Sequence, residues 1–358
     1  MRRRDYLAGL GLASVSGVAG CAGLVETRSV ASAPPVLEDR PDAVYFPTHV
    51  EGMETVGTGE SEDGEYAFGL TYSYPHRFWN VNGSDVRRTD IEDGDDVHLM
   101  ASVWDPRSRT VLPEAGLSLE IVREGDLVSQ EVIYPMLSQP MGFHYGANFG
   151  LDGDGTYTVT VSVGGVSTRK TGAFAGRFGE PGSVDVAFDY SRSARDGIPF
   201  EKTPDRAGSP AAVEPMGMET PNSVASAESE LPERVLGTGT TGDAVLVVGR
   251  LDAPPEGVEG GGPYLYVSAR TPYNRMVVPA MAMTGTLDRG NGAAFDGELV
   301  RTLDPELGYH YGAALGGTAV EPGSGDTLTL EIPTPPQVAR HEGYETAFLE
   351  MPPVEVTL

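Results

Sequence analysis

The phrase Gly-aromatic-His-Tyr-Gly-Ala occurs twice in this chain, as GFHYGA at 142–147 and as GYHYGA at 308–313. It contains His144 and His310, so two of only six histidines share one rare setting. Neutral imidazole with thioether sulfur suits copper, and imidazole with carboxylate suits iron or zinc. Two readings of the phrase stand. Either its glycines and aromatics turn a structural corner where histidine bonds its neighbours, or they hold an imidazole that ligates an ion. A second, weaker donor set lies in THVEGMETVG, where His49, Glu51 and Met53 fall on alternate residues. In an extended strand all three point the same way, although surface chance also produces such spacing. VEPMGMET repeats the pattern with Met216 and Met218. His76, in YPHRFW, reads as packed beside Trp79, and His98, in DDVHLMASV, as one position of an alternating strand. Both are expected to be structural or surface residues.

Other chemistry finds less support. The acidic runs DIEDGDD (90–96) and LDGDGTY (151–157) lack the ordered oxygen series of a calcium loop and read as hairpin turns. GTGTTG (237–242) fits Gly-x-Gly-x-x-Gly, but DAVLVVGRL behind it reads as a strand, where a dinucleotide site needs a helix. No Gly-x-Ser-x-Gly elbow or His-Glu-x-x-His occurs, so no enzyme class is indicated. Cys21 is the only cysteine, which excludes internal disulfides, thiolate metal sites and a blue-copper centre. Asn82-Gly83-Ser84 is a glycosylation triplet whose use stays open.

The elements that must position these residues are strands. YAFGLTYSY, DDVHLMASVWD, LSLEIVREG, QEVIYPML, GTYTVTVSVGG and SVDVAFDYS are short, often alternating, and separated by Gly, Asp and Pro turns. After a polar Pro/Ser/Ala-rich stretch, DAVLVVGRL, PYLYVSAR, RMVVPAMAMTGTL, GELVRTL, DTLTLEI and PPVEVTL resume the pattern. No long helical periodicity intervenes, so the fold class is all-β, with two tandem β-sandwich domains. The divisions are a first domain at 44–192, a linker at 193–233 and a second domain at 234–358. YPMLSQPMGFHYGA parallels VRTLDPELGYHYGA without a gap, and YSYPHRFW (72–79) is aligned with ARTPYNRM (269–276). The chain is read as an internal duplication.

Ahead of the domains, residues 1–21 read as an export leader. Arg3-Arg4-Asp5-Tyr6-Leu7 resembles a twin-arginine signal and Val18-Ala19-Gly20-Cys21 a lipobox, with Cys21 as the lipid attachment point. Residues 22–43 read as a flexible tether, which places the protein on the outer face of the cell membrane. Acidic residues number 52 against 25 basic ones, and Lys170 and Lys202 are the only lysines. This composition looks like adaptation to high salt. A net charge of -27 repels phosphates, so nucleic acid is not an expected partner. Molar salt screens that field within a few ångströms, so charge alone does not indicate a metal.

AVYFPTHVEGMETVG, YPMLSQPMGFHYGAN, GTYTVTVSV and ARHEGYETAFLEMPPVEV together resemble the periplasmic iron-transport and copper-binding proteins of the treponemal lipoprotein type. The resemblance implies an immunoglobulin-like sandwich, commonly paired, which here becomes an internal pseudo-dimer of the two domains. It also implies a ligand set. Met136 falls near the family methionine, His144 and His310 on its histidine, and His341, after Arg340, on its late histidine. The position of Arg340–His341 in the first half is matched to Arg169–Lys170, and Thr302 takes the methionine's place in the second. The family's early His-x-Glu is missing, with Tyr66-Ala-Phe68 and Tyr264-Leu-Tyr266 as nearest equivalents. The expectation is a non-catalytic, membrane-anchored metal-binding protein for iron or copper uptake, with a copper or iron ion held by Met136, His144, His310 and His341 and a metal permease as partner. The alternative is an extracytoplasmic β-sandwich interaction or structural lipoprotein whose metal site has decayed.

Overall fold

The computed structural model describes residues 34–290, 292–316, 322–323 and 325–358. The basic cluster Arg2 to Arg4, Cys21 and most of the expected tether lie outside the described residues. The chain is all-β, as the alternation predicts. In Gly155–Val163 and Leu117–Arg123 every second side chain is buried and the others face solvent. Such strands form a sheet with one wet face. Val97–Trp104 is buried throughout, yet its period still sorts it. Leu99, Ala101 and Val103 enter the hydrophobic core with Leu119, Val159 and Val161, while His98 and Ser102 turn to the other, polar face.

Four large sheets result, and they repeat. The first half has an eight-stranded sheet in the order Glu54–Glu60, Ala67–Ser73, Val97–Trp104, Gly142–Phe149, Tyr134–Ser138, Ala339–Arg340, Phe78–Asn82 and Asp85–Thr89. The second half has a six-stranded sheet in the order Arg234–Thr241, Ala244–Leu251, Tyr264–Arg270, Gly308–Ala314, Val300–Asp304 and Arg169–Lys170. Each shares its core with a four-stranded sheet: Gly182–Tyr190, Gly155–Val163, Leu117–Arg123 and Asp126–Val132 in one half, Val354–Thr357, Thr327–Thr334, Ala282–Asp288 and Ala293–Glu298 in the other.

Strand order corrects one sequence alignment. Val97–Trp104 and Tyr264–Arg270 hold the same place, so ARTPYNRM matches the stretch around Asp105, not YSYPHRFW. Both turns then bridge back alike, Trp104 to Val111 and Arg270 to Val277, with Arg109 and Arg275 at φ 60° and 55°. YSYPHRFW and the hairpin Phe78–Asn82/Asp85–Thr89 have no strand counterpart among the described residues of the second half.

Each half lends its neighbour a short strand. Ala339–Arg340 runs parallel to Tyr134–Ser138, with Ala339 opposite Met136, and Arg340 pairs on its other side with Trp79. Reciprocally, Arg169 lies opposite Thr302. The fully buried Arg340 holds the following loop by donating to the carbonyls of Ala347, Pro336 and Phe348. Burial pushes its guanidinium down to about 9, and these carbonyls are its hydrogen-bond partners. Arg340→Met would leave them unsatisfied. We expect a loss of about 3 kcal/mol in denaturant unfolding; a midpoint unchanged from wild type would contradict this role.

Candidate metal centre

The repeated phrase does the same backbone work in both halves. Gly142 and Gly308 adopt φ of 73° and 67°, and each carbonyl accepts from Nδ1 of the histidine two residues on, at 3.0 Å. That conformation favours glycine. The two tyrosines enter the core, where the Tyr145 hydroxyl accepts from Ala115 N at 2.8 Å and the Tyr311 hydroxyl from Met281 N at 3.1 Å. The second glycine makes room for the neighbouring strand. A Cβ on Gly146 would stand 2.7 Å from His98 Nε2 and 3.2 Å from Met136 Sδ. The phrase is therefore a corner in both halves, and the second question is what each corner faces.

In the first half it faces a histidine triad placed so that it could hold a metal ion. His98, His144 and His341 each bring one ring nitrogen into a group lying within 4.8 Å of one another. Nδ1 of His98 donates to Asn148 Oδ1 at 2.7 Å, and Nδ1 of His144 to Gly142 O at 3.0 Å. The Asn148 amide is oriented by the His76 backbone, whose N donates to Oδ1 and whose O accepts from Nδ2. With Nδ1 protonated, Nε2 of each ring is left as a lone pair, the arrangement found in metal-bound histidines. Nε2 of His98, His144 and His341 are all buried without a hydrogen-bond partner. Burial lowers His98 to about 3 and His144 to about 4. His341 is pushed well below its ordinary value by burial and then by the charges of His144, His98 and His49. Neutral imidazoles are the ligating form. Met136 is fully buried directly opposite His144 and packs with Phe78 and Ala339, its sulfur beside the same Gly146 position. Three nitrogens and a thioether form a set that copper fits.

Of the expected set, Met136, His144 and His341 meet and His310 does not. His310 belongs to the other sheet, where its Nε2 is 2.9 Å from the Tyr264 hydroxyl. Register explains what fills its site. Asn148 lies opposite His98 as Ala314 lies opposite Tyr264, so Tyr264 replaces His98. Thr302 faces His310 as Met136 faces His144. Thr171 N bonds Leu303 O as His341 N bonds Leu137 O, so Thr171, not Lys170, stands in for His341. Arg169 then corresponds to Ala339, and its guanidinium donates to Tyr264 Oη, Thr302 Oγ1 and Gly312 O at 2.6–3.0 Å. A fixed organic cation stands where the first half leaves donors open.

Sequence reasoning missed His98. Its signal was HLMAS against YLYVS, which the YSYPHRFW alignment hid. The ring of His76, read from the sequence as packed beside Trp79, lies 4.7 Å from that of His98 and 5.2 Å from that of His341. Tyr66-Ala-Phe68 is likewise displaced as an equivalent, because His98-Leu99-Met100 occupies the place of Tyr264-Leu265-Tyr266. His49, Glu51 and Met53 line one cavity of about 90 Å³, which His76, His341 and Glu342 also border.

A family model described as "Domain of unknown function (DUF7350)" matches residues 53–175 and 229–357. The chain belongs to this family. No curated protein matches it. Among solved structures, it is similar to FetP of uropathogenic Escherichia coli strain F11, at 23% identity over 40% of this chain and 96% of that one, with a TM-score of 0.29. A copper-bound variant of FetP gives 21% identity, 40% and 97% coverage and a TM-score of 0.28. A copper-bound variant of Campylobacter jejuni P19 gives 19%, 40% and 97%, and 0.27.

His310, unlike the triad, has both nitrogens bonded, and burial lowers it to about 4 against 6.5 for an unburied histidine. Below pH 6.5 the unfolded chain takes up a proton that the folded chain refuses until about pH 4. Stability from this group is complete above that window and falls as pH drops through it. We expect the stability difference between wild type and His310→Gln to shrink from pH 7 to pH 5 in chelator and high salt. A difference independent of pH would contradict the buried neutral ring.

Proposed function

We propose that this protein is a non-catalytic metal-binding lipoprotein of the cell exterior. It holds a copper ion at His98, His144 and His341, with Met136 as the thioether donor, and serves iron or copper uptake. Cys21 carries the lipid, and a membrane permease receives the ion. The observation that carries this reading is three buried imidazoles that each bring one ring nitrogen into one 4.8 Å group, while the Nε2 atom of every one of them lacks a hydrogen-bond partner. Leaving one buried polar atom unbonded costs about 1–3 kcal/mol, so three aimed at one point call for an occupant that accepts lone pairs. A cation does so and a water, which donates only two hydrogens, does not. The sulfur of Met136 is a soft donor that favours Cu(I) among the available ions. The DUF7350 match and the leader motifs are compatible with this role; the donor geometry is what argues for it.

The test is stoichiometry. Purified full chain should bind one equivalent of copper, lost in His98→Ala and in His144→Ala and retained in His310→Ala. Met136→Leu should weaken Cu(I) more than Cu(II). Gly146→Ala removes no ligand but sets a methyl group 2.7 Å from His98 Nε2, so it should abolish binding by occlusion. Copper bound equally by wild type, His144→Ala and Gly146→Ala would end the assignment.

A further inference from the structure

We propose that Cu(I) reaches the triad through the cavity beside it, along the thioethers of Met53 and Met100, and that Met100 is the specificity-determining residue at the inner end of this route. The inference rests on the copper reading and adds a path and a preference to it. The period of Val97–Trp104 turns Leu99 and Ala101 into the core and His98, Met100 and Ser102 to the polar face. Met100 lies opposite Gly146, two residues along from the pair His98 and Asn148. A Cβ on Gly146 would stand 2.7 Å from His98 Nε2 and 3.2 Å from Met136 Sδ, so donors gather above that glycine. Neighbouring strands run about 4.8 Å apart, so Met100 is rooted beside that point. The second half shows that a side chain at this place reaches its corner histidine. Tyr266 stands there, opposite Gly312, and its ring lies 6.2 Å from that of His310. A sulfur occupies the place in the half with open donors, and a phenol in the half whose donors are satisfied.

Met100 is only 2% exposed, yet it borders the 90 Å³ cavity together with Met53 and His341. His341 belongs to the triad, so the cavity touches the site at that ring. The space is several times the roughly 15 Å³ that one water requires, wide enough for an ion to pass. Burial is graded along three sulfurs, from half-buried Met53 through Met100 to fully buried Met136. The outer end is fixed, because Gly52 N donates to Pro199 O and Gly52 O accepts from Ser73 Oγ, both at 2.8 Å. The carboxylates on the same lining, Glu51 and Glu342, are hard oxygen donors already engaged with imidazoles. Thioether sulfur prefers Cu(I) to harder ions, and the unbranched methionine side chain changes rotamer easily, which suits passing an ion on. A route lined in this way sorts Cu(I) from divalent ions before either meets the histidines.

Anaerobic stopped-flow transfer of Cu(I) from a chelator to the full chain tests the route, with Cu(II) loading as the control. Leucine keeps the volume of methionine and removes the sulfur, so the fold is preserved. Met100→Leu should slow Cu(I) loading about tenfold and Met53→Leu by a smaller factor, with one equivalent still bound at the end. Cu(II) loading should be unchanged in both. Met100→Ala widens the passage and should nevertheless load Cu(I) slowly, because the sulfur is gone. Cu(I) loading unchanged in Met100→Leu, faster loading in Met100→Ala, or equal slowing of Cu(II) would overturn the route and leave Met100 a packing residue. A wild type that takes up no copper would sink the copper reading and the route together. Copper loaded at the wild-type rate by both leucine variants but lost in His144→Ala would sink the route alone.

Discussion

Two residues of ladder, Ala339 and Arg340 against Met136 and Leu137, fix the relation between the halves and complete the triad. The pairing carries His341 from one half into the polar face of the other, where its ring comes within 5.4 Å of His144. Without it His98 and His144 would face each other with no third imidazole. The strand is held from both sides, by Tyr134–Ser138 and by Trp79, while Arg340 pins the loop beyond through three carbonyls. An edge strand that would otherwise be exposed is thereby covered, which also answers the aggregation hazard of a bare sheet edge.

The reciprocal exchange shows how little separates an open site from a closed one. Both corners keep the left-handed glycine, the Nδ1-bonded histidine and the second glycine. What differs is the residue opposite and the residue lent. With Ala339 the space is left for donors to converge. With Arg169 a guanidinium reaches Thr302, Tyr264 and the Gly312 carbonyl and satisfies them all. A positive group with fixed hydrogen bonds does permanently what an ion would do reversibly. The second corner is a folding element, and the first is that and also the rim of the candidate metal centre.

The alternation of GTYTVTVSV and the repeated phrase made the fold class and its duplicated logic legible, because strand period and left-handed glycine are local properties. His144 and His341 were legible by resemblance. His98 was not, because a histidine in a fully buried strand looks the same whether its other face meets core or ligand. His310 misled for the opposite reason: an identical local phrase says nothing about Thr302 or Arg169 across the sheet. The contact between residues 136 and 339 spans the two halves, and such pairing is set by topology that no short window contains. His76 illustrates the same limit. Its neighbours His98, His341 and Glu51 come from three separate segments.

Energetics joins these points. A buried imidazole nitrogen without a protein hydrogen-bond partner, as in each of these three rings, costs about 1–3 kcal/mol if left unbonded. The surrounding structure must over-determine the site to hold it: Asn148 and Gly142 fix two rings, and Arg340 sets the segment that bears the third. Rings held in place lose little freedom when they bind, and the desolvation of their nitrogens has already been met by folding. An ion arriving there would meet the lone pairs of His98 and His144 without a competing hydrogen bond. The outer carboxylates Glu51 and Glu342 are arranged otherwise, each already engaged with an imidazole.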